Sequence, residues 1–157
     1  MGQAYWYHQR WKLRAADHAG ICLLISGTYA PTMDAACSPD VLAFVWIVGV
    51  VSVAIKSGRG RFDRMPVHLL ALLLMGFAVV SIWSRVVDAL SPWCVDLIKL
   101  GGAMYTTGLV PWALLKKMEF NICIWHVFVL LGSGCYFAMV YGELLGATAP
   151  ALECIAT

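Results

Sequence analysis

The sequence predicts an all-α protein, a polytopic membrane helix bundle with five full spans. Three observations carry that expectation. Of 157 residues, 61% are hydrophobic and only 13% charged, where soluble domains run about 45–50% apolar and about 25% charged. Five apolar runs come close to the roughly 20 residues needed to cross the hydrocarbon layer. Lys and Arg excess then falls on every second connection, as the positive-inside rule requires. The aromatic and aliphatic content excludes disorder. Eleven Lys and Arg against nine Asp and Glu give a net charge of only +2, which argues against a nucleic-acid partner. No run alternates with period 2, so a membrane β-barrel is not expected.

Taken in order, the spans are Ala16–Thr32, Val41–Ile55, Pro66–Ser84, Trp93–Leu115 and Asn121–Leu145. The second is short and is expected to borrow Pro39 and Asp40. Before the first span, Arg10, Lys12 and Arg14 make Gln9–Arg14 a basic loop. Asp34 and Asp40 make the next connection acidic. Lys56, Arg59, Arg61 and Arg64 outweigh Asp63 in the third. Arg85 and Asp88 balance in the fourth, and Lys116 and Lys117 outweigh Glu119 in the fifth. The basic loops are therefore expected in the cytoplasm and the C-terminal tail on the other side.

Met1–Arg14 lacks the apolar stretch of a secretory signal, and Trp6 stands where a myristoylation pattern needs Ser or Thr. Six cysteines form no C-x-x-C pair. Cys37, Cys94 and Cys154 fall toward the non-cytoplasmic side, where a disulfide among them and three unpaired thiols are both open readings. Asp96 and Lys99, three apart on a helix, are expected to pair locally. Small residues at Gly101, Gly102, Ala103 and Gly108, and at Gly132, Ser133 and Gly134, suit close helix contacts.

Titratable residues inside a span are costly and are functional candidates by default. His8 follows the aromatic stretch Ala4-Tyr5-Trp6-Tyr7, and Asp17 and His18 open the first full span. His126 lies nine residues past Lys117, about 13 Å along the helix. The topology brings all four toward the cytoplasmic end. Imidazoles with a carboxylate form a normal zinc ligand set, although each histidine could equally serve a neighbouring hydrogen bond. His68, just after Pro66 at the mouth of the third span, is expected to be interfacial.

Three segments carry a resemblance. Asp17-His18-Ala19-Gly20-Ile21-Cys22-Leu23-Leu24-Ile25-Ser26-Gly27-Thr28-Tyr29-Ala30-Pro31, Gly101-Gly102-Ala103-Met104-Tyr105-Thr106-Thr107-Gly108 and Ile124-Trp125-His126-Val127-Phe128-Val129-Leu130-Leu131-Gly132-Ser133 closely resemble, in order and spacing, the hemolysin III family, grouped with the progestin and adiponectin receptors (PAQR). The resemblance implies a seven-helix fold with zinc near the cytoplasmic face. Its ligands would come from an S-x-x-x-H motif on the second helix and an H-x-x-x-H motif on the last, with an aspartate at the start of the third helix close to the ion. His8 and His126 then map onto metal ligands, and Asp17 onto a residue that would position water. Residues 1–15 would be the end of the family's second helix plus a loop, 16–145 five membrane helices, and 146–157 a tail. Ala4 replaces the serine, Ile122 replaces the first histidine of H-x-x-x-H, and Tyr136 replaces a later one. Zinc is therefore expected to be held only weakly beside Asp17 unless a further donor joins.

The resemblance thus suggests an integral membrane protein that is receptor-like or regulatory rather than catalytic. The alternative is a zinc-dependent membrane hydrolase of a lipid amide or ester. Its expected partners are the lipid bilayer, a lipid ligand or substrate, and a homo- or hetero-oligomeric neighbour.

Overall fold

A computed structural model describes residues 2–58, 63–114 and 120–146, and all their regular structure is helical. The elements are α1 (Gly2–Ala35), α2 (Pro39–Gly58), α3 (Met65–Phe77), a 3-10 segment (Ala78–Ile82), α4 (Trp83–Ala89), α5 (Pro92–Leu114) and α6 (Asn121–Gly146). Among the described residues, Pro39–Gly58, Pro66–Ala89 and Cys123–Gly142 are long and apolar enough to cross a membrane. Helices α1 and α5 are also long, but Asp17 and His18 in the one and Asp96 and Lys99 in the other make them more polar.

Two differences from the sequence reading have simple causes. The basic stretch Gln9–Arg14 is helical rather than a loop, because no Gly or Pro interrupts the chain between Gln3 and Ala19 and α1 continues through it. The third span runs past Ser84 to Ala89, with the 3-10 segment inside it. As expected, α2 takes in Pro39 and Asp40, and Lys99 donates to Asp96 at 3.2 Å.

The helices form two compact units. One contains α1 as far as Met33, α2, α3 and the 3-10 segment; the other contains the chain from Ser84, with α5 and α6. In the first, α1 buries His18, Cys22, Ser26, Tyr29 and Met33, a spacing of four, four, three and four that lines one helical face. Helix α2 answers with Val41, Val45, Gly49 and Ser52. A Cβ at Gly49 would lie 3.1 Å from Met75 Cε and 3.5 Å from Ser26 Oγ, so the bare backbone lets α1 and α3 close on α2. The outward residues are apolar: Leu23, Phe44, Ile47, Val50, Leu70 and Phe77 are all exposed. Polar side chains buried among apolar ones, with large apolar side chains facing outward, depart from the pattern of a soluble protein and suit a hydrocarbon solvent.

Helix α1 ends in a Schellman turn. The Ser38 amide donates to Met33 O at 2.9 Å and the Cys37 amide to Asp34 O at 3.1 Å. Cys37 occupies the left-handed position usually held by glycine (φ 48°). It is disulfide-bonded, whereas Cys94 is a buried thiol whose Sγ lies 4.0 Å from Met139 O. Cys154 lies outside the described residues.

The 3-10 segment changes the hydrogen-bond pattern of the third span. Ser81 Oγ donates back to Ala78 O at 2.7 Å, a local bond that competes with the helical ladder. Tyr29 on α1 spans the break: its hydroxyl donates to Gly76 O at 2.9 Å and accepts from the Val79 amide at 3.1 Å. One phenol thus satisfies two backbone groups that lipid could not.

In the second unit α5 packs along α6. A Cβ on Gly101 would come within 2.8 Å of the Tyr136 ring and 3.2 Å of Gly132 O, and one on Gly108 within 2.6 Å of Phe128 Cβ. Gly102 and Gly134, grouped with these in the sequence, have open space instead. Ser133 Oγ donates to Val129 O at 2.8 Å, so Tyr105 must donate its hydroxyl to Ser133, 2.9 Å away across the helix pair.

Tyr29→Phe keeps the ring and orphans Gly76 O and Val79 N–H. It should cost about 1–3 kcal/mol, read as a lower unfolding midpoint in detergent. Gly108→Ala should cost a similar amount, about 1–3 kcal/mol, because Phe128 Cβ is fixed to its backbone. Gly102→Ala, measured beside it, should be neutral or stabilising.

Candidate functional site

The first unit gathers ionisable side chains around Ser52. His18 comes from α1, Ser52 and Lys56 from the last two turns of α2, His68 from the first turns of α3, and Asp63 from the connection between α2 and α3. Ser52 and Lys56 are four apart and so share a helix face. Asp63 stands two residues before α3, and Pro66 in its first turn fixes where that helix starts.

His18 Nε2 lies 2.8 Å from Ser52 Oγ, which is 3.4 Å from His68 Nδ1. His68 Nε2 lies 2.9 Å from Asp63 Oδ1, and Lys56 Nζ donates to the same oxygen at 2.9 Å. Cys22 Sγ is 3.8 Å from His18 Nε2. The two imidazoles meet edge to face, with centroids 4.7 Å apart. His18 is 8% exposed, His68 6% and Ser52 3%, whereas the Asp63 side chain retains 22% of its surface. Asp63 is therefore the partly open rim of the chain, and Ser52, between the two histidines, is its most deeply buried member.

The hydrogen bonds have one consistent direction for neutral imidazoles. The Lys56 ammonium hydrogen-bonded to Asp63 holds its carboxyl below the ordinary carboxylate value, and the His68 bond acts the same way against partial desolvation. An ionised carboxylate only accepts, so His68 Nε2 carries a proton and donates. His68 Nδ1 is then an acceptor and takes the Ser52 hydroxyl proton. Ser52 Oγ in turn accepts from His18 Nε2–H. Each polar hydrogen has an assigned acceptor, as a buried network requires.

The cluster adds to the sequence reading of His68: at the mouth of the third span it is buried and bonded to Ser52 and Asp63, because α3 begins with its first turns packed against α2. Ser52, Lys56 and Asp63 were not singled out from the sequence. Two signals were available: Ser52 interrupts the apolar run Val45–Ile55, and Asp63 is the sole acid in a basic connection.

The other sequence-predicted residues are placed as follows. Asp17 is exposed on α1, next to His18, and His126 is exposed on α6. Asp17 belongs to the first unit and His126 to the second. His8 lies on α1 and Ile122 on α6, and the side chains of both fall outside those described. Among the described residues, no three His, Cys, Asp or Glu side chains gather as a metal site would require. The Ser52 cluster does not supply one, since His18 Nε2 and both nitrogens of His68 are engaged in its hydrogen bonds.

A family described as Haemolysin-III related matches residues 6–137. Hemolysin-3 of Bacillus cereus is 30% identical over 128 residues, covering 79% of this chain and 58% of the relative. A Hemolysin-3 homolog of Bacillus subtilis (strain 168) is 30% identical over 133 residues, covering 82% and 61%. The chain thus spans about three-fifths of the length of these relatives. No solved structure matches. With the family pattern running through all but its first few and last residues, this integral membrane protein belongs to the haemolysin-III-related family.

Proposed function

We propose that this protein is a receptor-like or regulatory member of its family rather than a hydrolase. The observation that carries the reading is Ile122. An aliphatic side chain stands where the family resemblance requires a zinc ligand, leaving His8 and His126 as the remaining histidines of that set. A catalytic zinc keeps three protein ligands and one open position, so this donor set is one short. Zinc, where bound, would lower the pKa of a water toward about 7 and supply hydroxide for hydrolysis. Two histidines alone do not complete such a site. The partners of the regulatory reading are the bilayer and a lipid ligand, with the basic loops on the cytoplasmic side.

The hydrolase reading keeps one supporting observation: His8, Asp17 and His126 all stand at their family positions. It would act on a lipid amide or ester, with Asp17 positioning the attacking water.

Metal analysis of the purified full chain separates the two. The regulatory reading expects less than about a tenth of a zinc ion per chain, since two neutral imidazoles leave the ion largely to water. Near one ion per chain, lost in His126→Ala, would overturn it. Ile122→His restores the third donor and should raise zinc affinity well above that of the parent chain. No gain would mean that His8 and His126 do not share a site.

A further inference from the structure

The chain His18–Ser52–His68–Asp63 has a property that neither functional reading uses. Ser52 has one hydroxyl hydrogen and stands between two imidazole nitrogens, so it donates to one and accepts from the other. In the neutral network the order is fixed from the Asp63 end: His18 Nε2–H to Ser52 Oγ, Ser52 O–H to His68 Nδ1, His68 Nε2–H to Asp63.

We propose that Ser52 is a proton relay between the two histidines, so that the pair takes up a single proton held at His68 against Asp63 while His18 exchanges its N–H from Nε2 to Nδ1. The step balances. A proton from water adds to His18 Nδ1. The His18 Nε2–H bond breaks as a new O–H forms on Ser52, and the former Ser52 O–H proton passes to His68 Nδ1. His18 is left neutral with its hydrogen on Nδ1, Ser52 is again a hydroxyl, and His68 is an imidazolium. Nothing is oxidised or reduced.

Electrostatics select where the charge rests. His68 lies 2.9 Å from the Asp63 carboxylate, whereas His18 has no carboxylate hydrogen-bonded to Nε2. The groups facing the pair are Asp17 and Cys22 on α1, Lys56 on α2 and Asp63 beyond it. Asp17 is exposed, and Lys56 is already paired with Asp63. A second proton would put two cations at a ring separation of 4.7 Å, both mostly out of water, which disfavours double charging. After transfer, His18 Nε2 is an acceptor for the Ser52 hydroxyl, with the Cys22 thiol 3.8 Å away as a weak second donor. The 3.4 Å link from Ser52 to His68 is the longest in the chain and is the one that must shorten.

The inference does not depend on zinc or on the choice between regulator and hydrolase. It is tested by nitrogen NMR of the full chain in lipid nanodiscs, with ring-labelled histidine, titrated over about pH 5 to 8, where histidine charge changes. His18→Gln and His68→Gln assign the signals. The expected result is one transition in which His68 becomes an imidazolium while the His18 N–H moves from Nε2 to Nδ1. Ser52→Thr should keep the two changes coupled, and Ser52→Ala should uncouple them, leaving the His18 tautomer unmoved as His68 titrates. Coupling that survives in Ser52→Ala would overturn the relay. So would His18 retaining Nε2–H in the parent chain, or each ring taking its own proton. If Ser52→Ala does not fold, the parent tautomer exchange and Ser52→Thr still decide the question.

Discussion

Hydrocarbon offers no hydrogen bonds, and that constraint organises what the helices hide. Any polar group carried into the membrane must find its partner within the protein. Tyr29 meets this demand for two backbone groups at the 3-10 break, and Tyr105 with Ser133 meets it across α5 and α6. Ser52 does so for two imidazoles at once. The same demand explains why polar side chains are drawn inward. His18, Ser26 and Ser52 point into the first unit while Phe44, Ile47 and Val50 point out. In water this arrangement would expose a large apolar surface; in lipid it is the stable one.

Much of the architecture was legible in the sequence because hydrophobic length and charge alternation are one-dimensional signals. Pro39, Pro92 and Asn121 each begin a helix close to where the apolar runs suggested. The Asp96–Lys99 pair followed from helical spacing alone. The cluster around Ser52 was not legible, because it joins residues 18, 52, 63 and 68 from three helices and a connection. No periodicity links a serine in one apolar run to a histidine at the mouth of another. Gly49 illustrates the same limit, since its role depends on Met75 and Ser26 arriving from other helices. The helical course of Gln9–Arg14 was missed for a different reason. Its charges suit a loop, but the residues around it are compatible with a helix and nothing there ends one.

The zinc positions that the family resemblance implies and the buried cluster involve neighbouring but different residues. Asp17 is the residue that the resemblance sets beside the ion, and His18, one residue on, turns inward to Ser52. Adjacent helical residues point about 100° apart, so the first turns of that span can serve two sites without competition for side chains. Sequence likeness draws attention to His8, Asp17 and His126, whereas packing draws it to His18, Ser52 and His68. Only Asp17 and His18 link the two groups along the chain, and their contrast in burial shows why proximity in sequence was a poor guide to shared chemistry.

The 3-10 segment has a geometric effect on the rest of its own span. A 3-10 turn advances about 2.0 Å per residue against about 1.5 Å for an α-helix, and turns about 120° against about 100°. Over the five residues Ala78–Ile82 the span gains roughly 2.5 Å and roughly 100° of extra winding. Ile82 and Trp83, at the end of that stretch, therefore present a side that an unbroken rod would have aimed about a quarter-turn away. The phenol of Tyr29, by occupying the loosened backbone, holds that tighter winding in place.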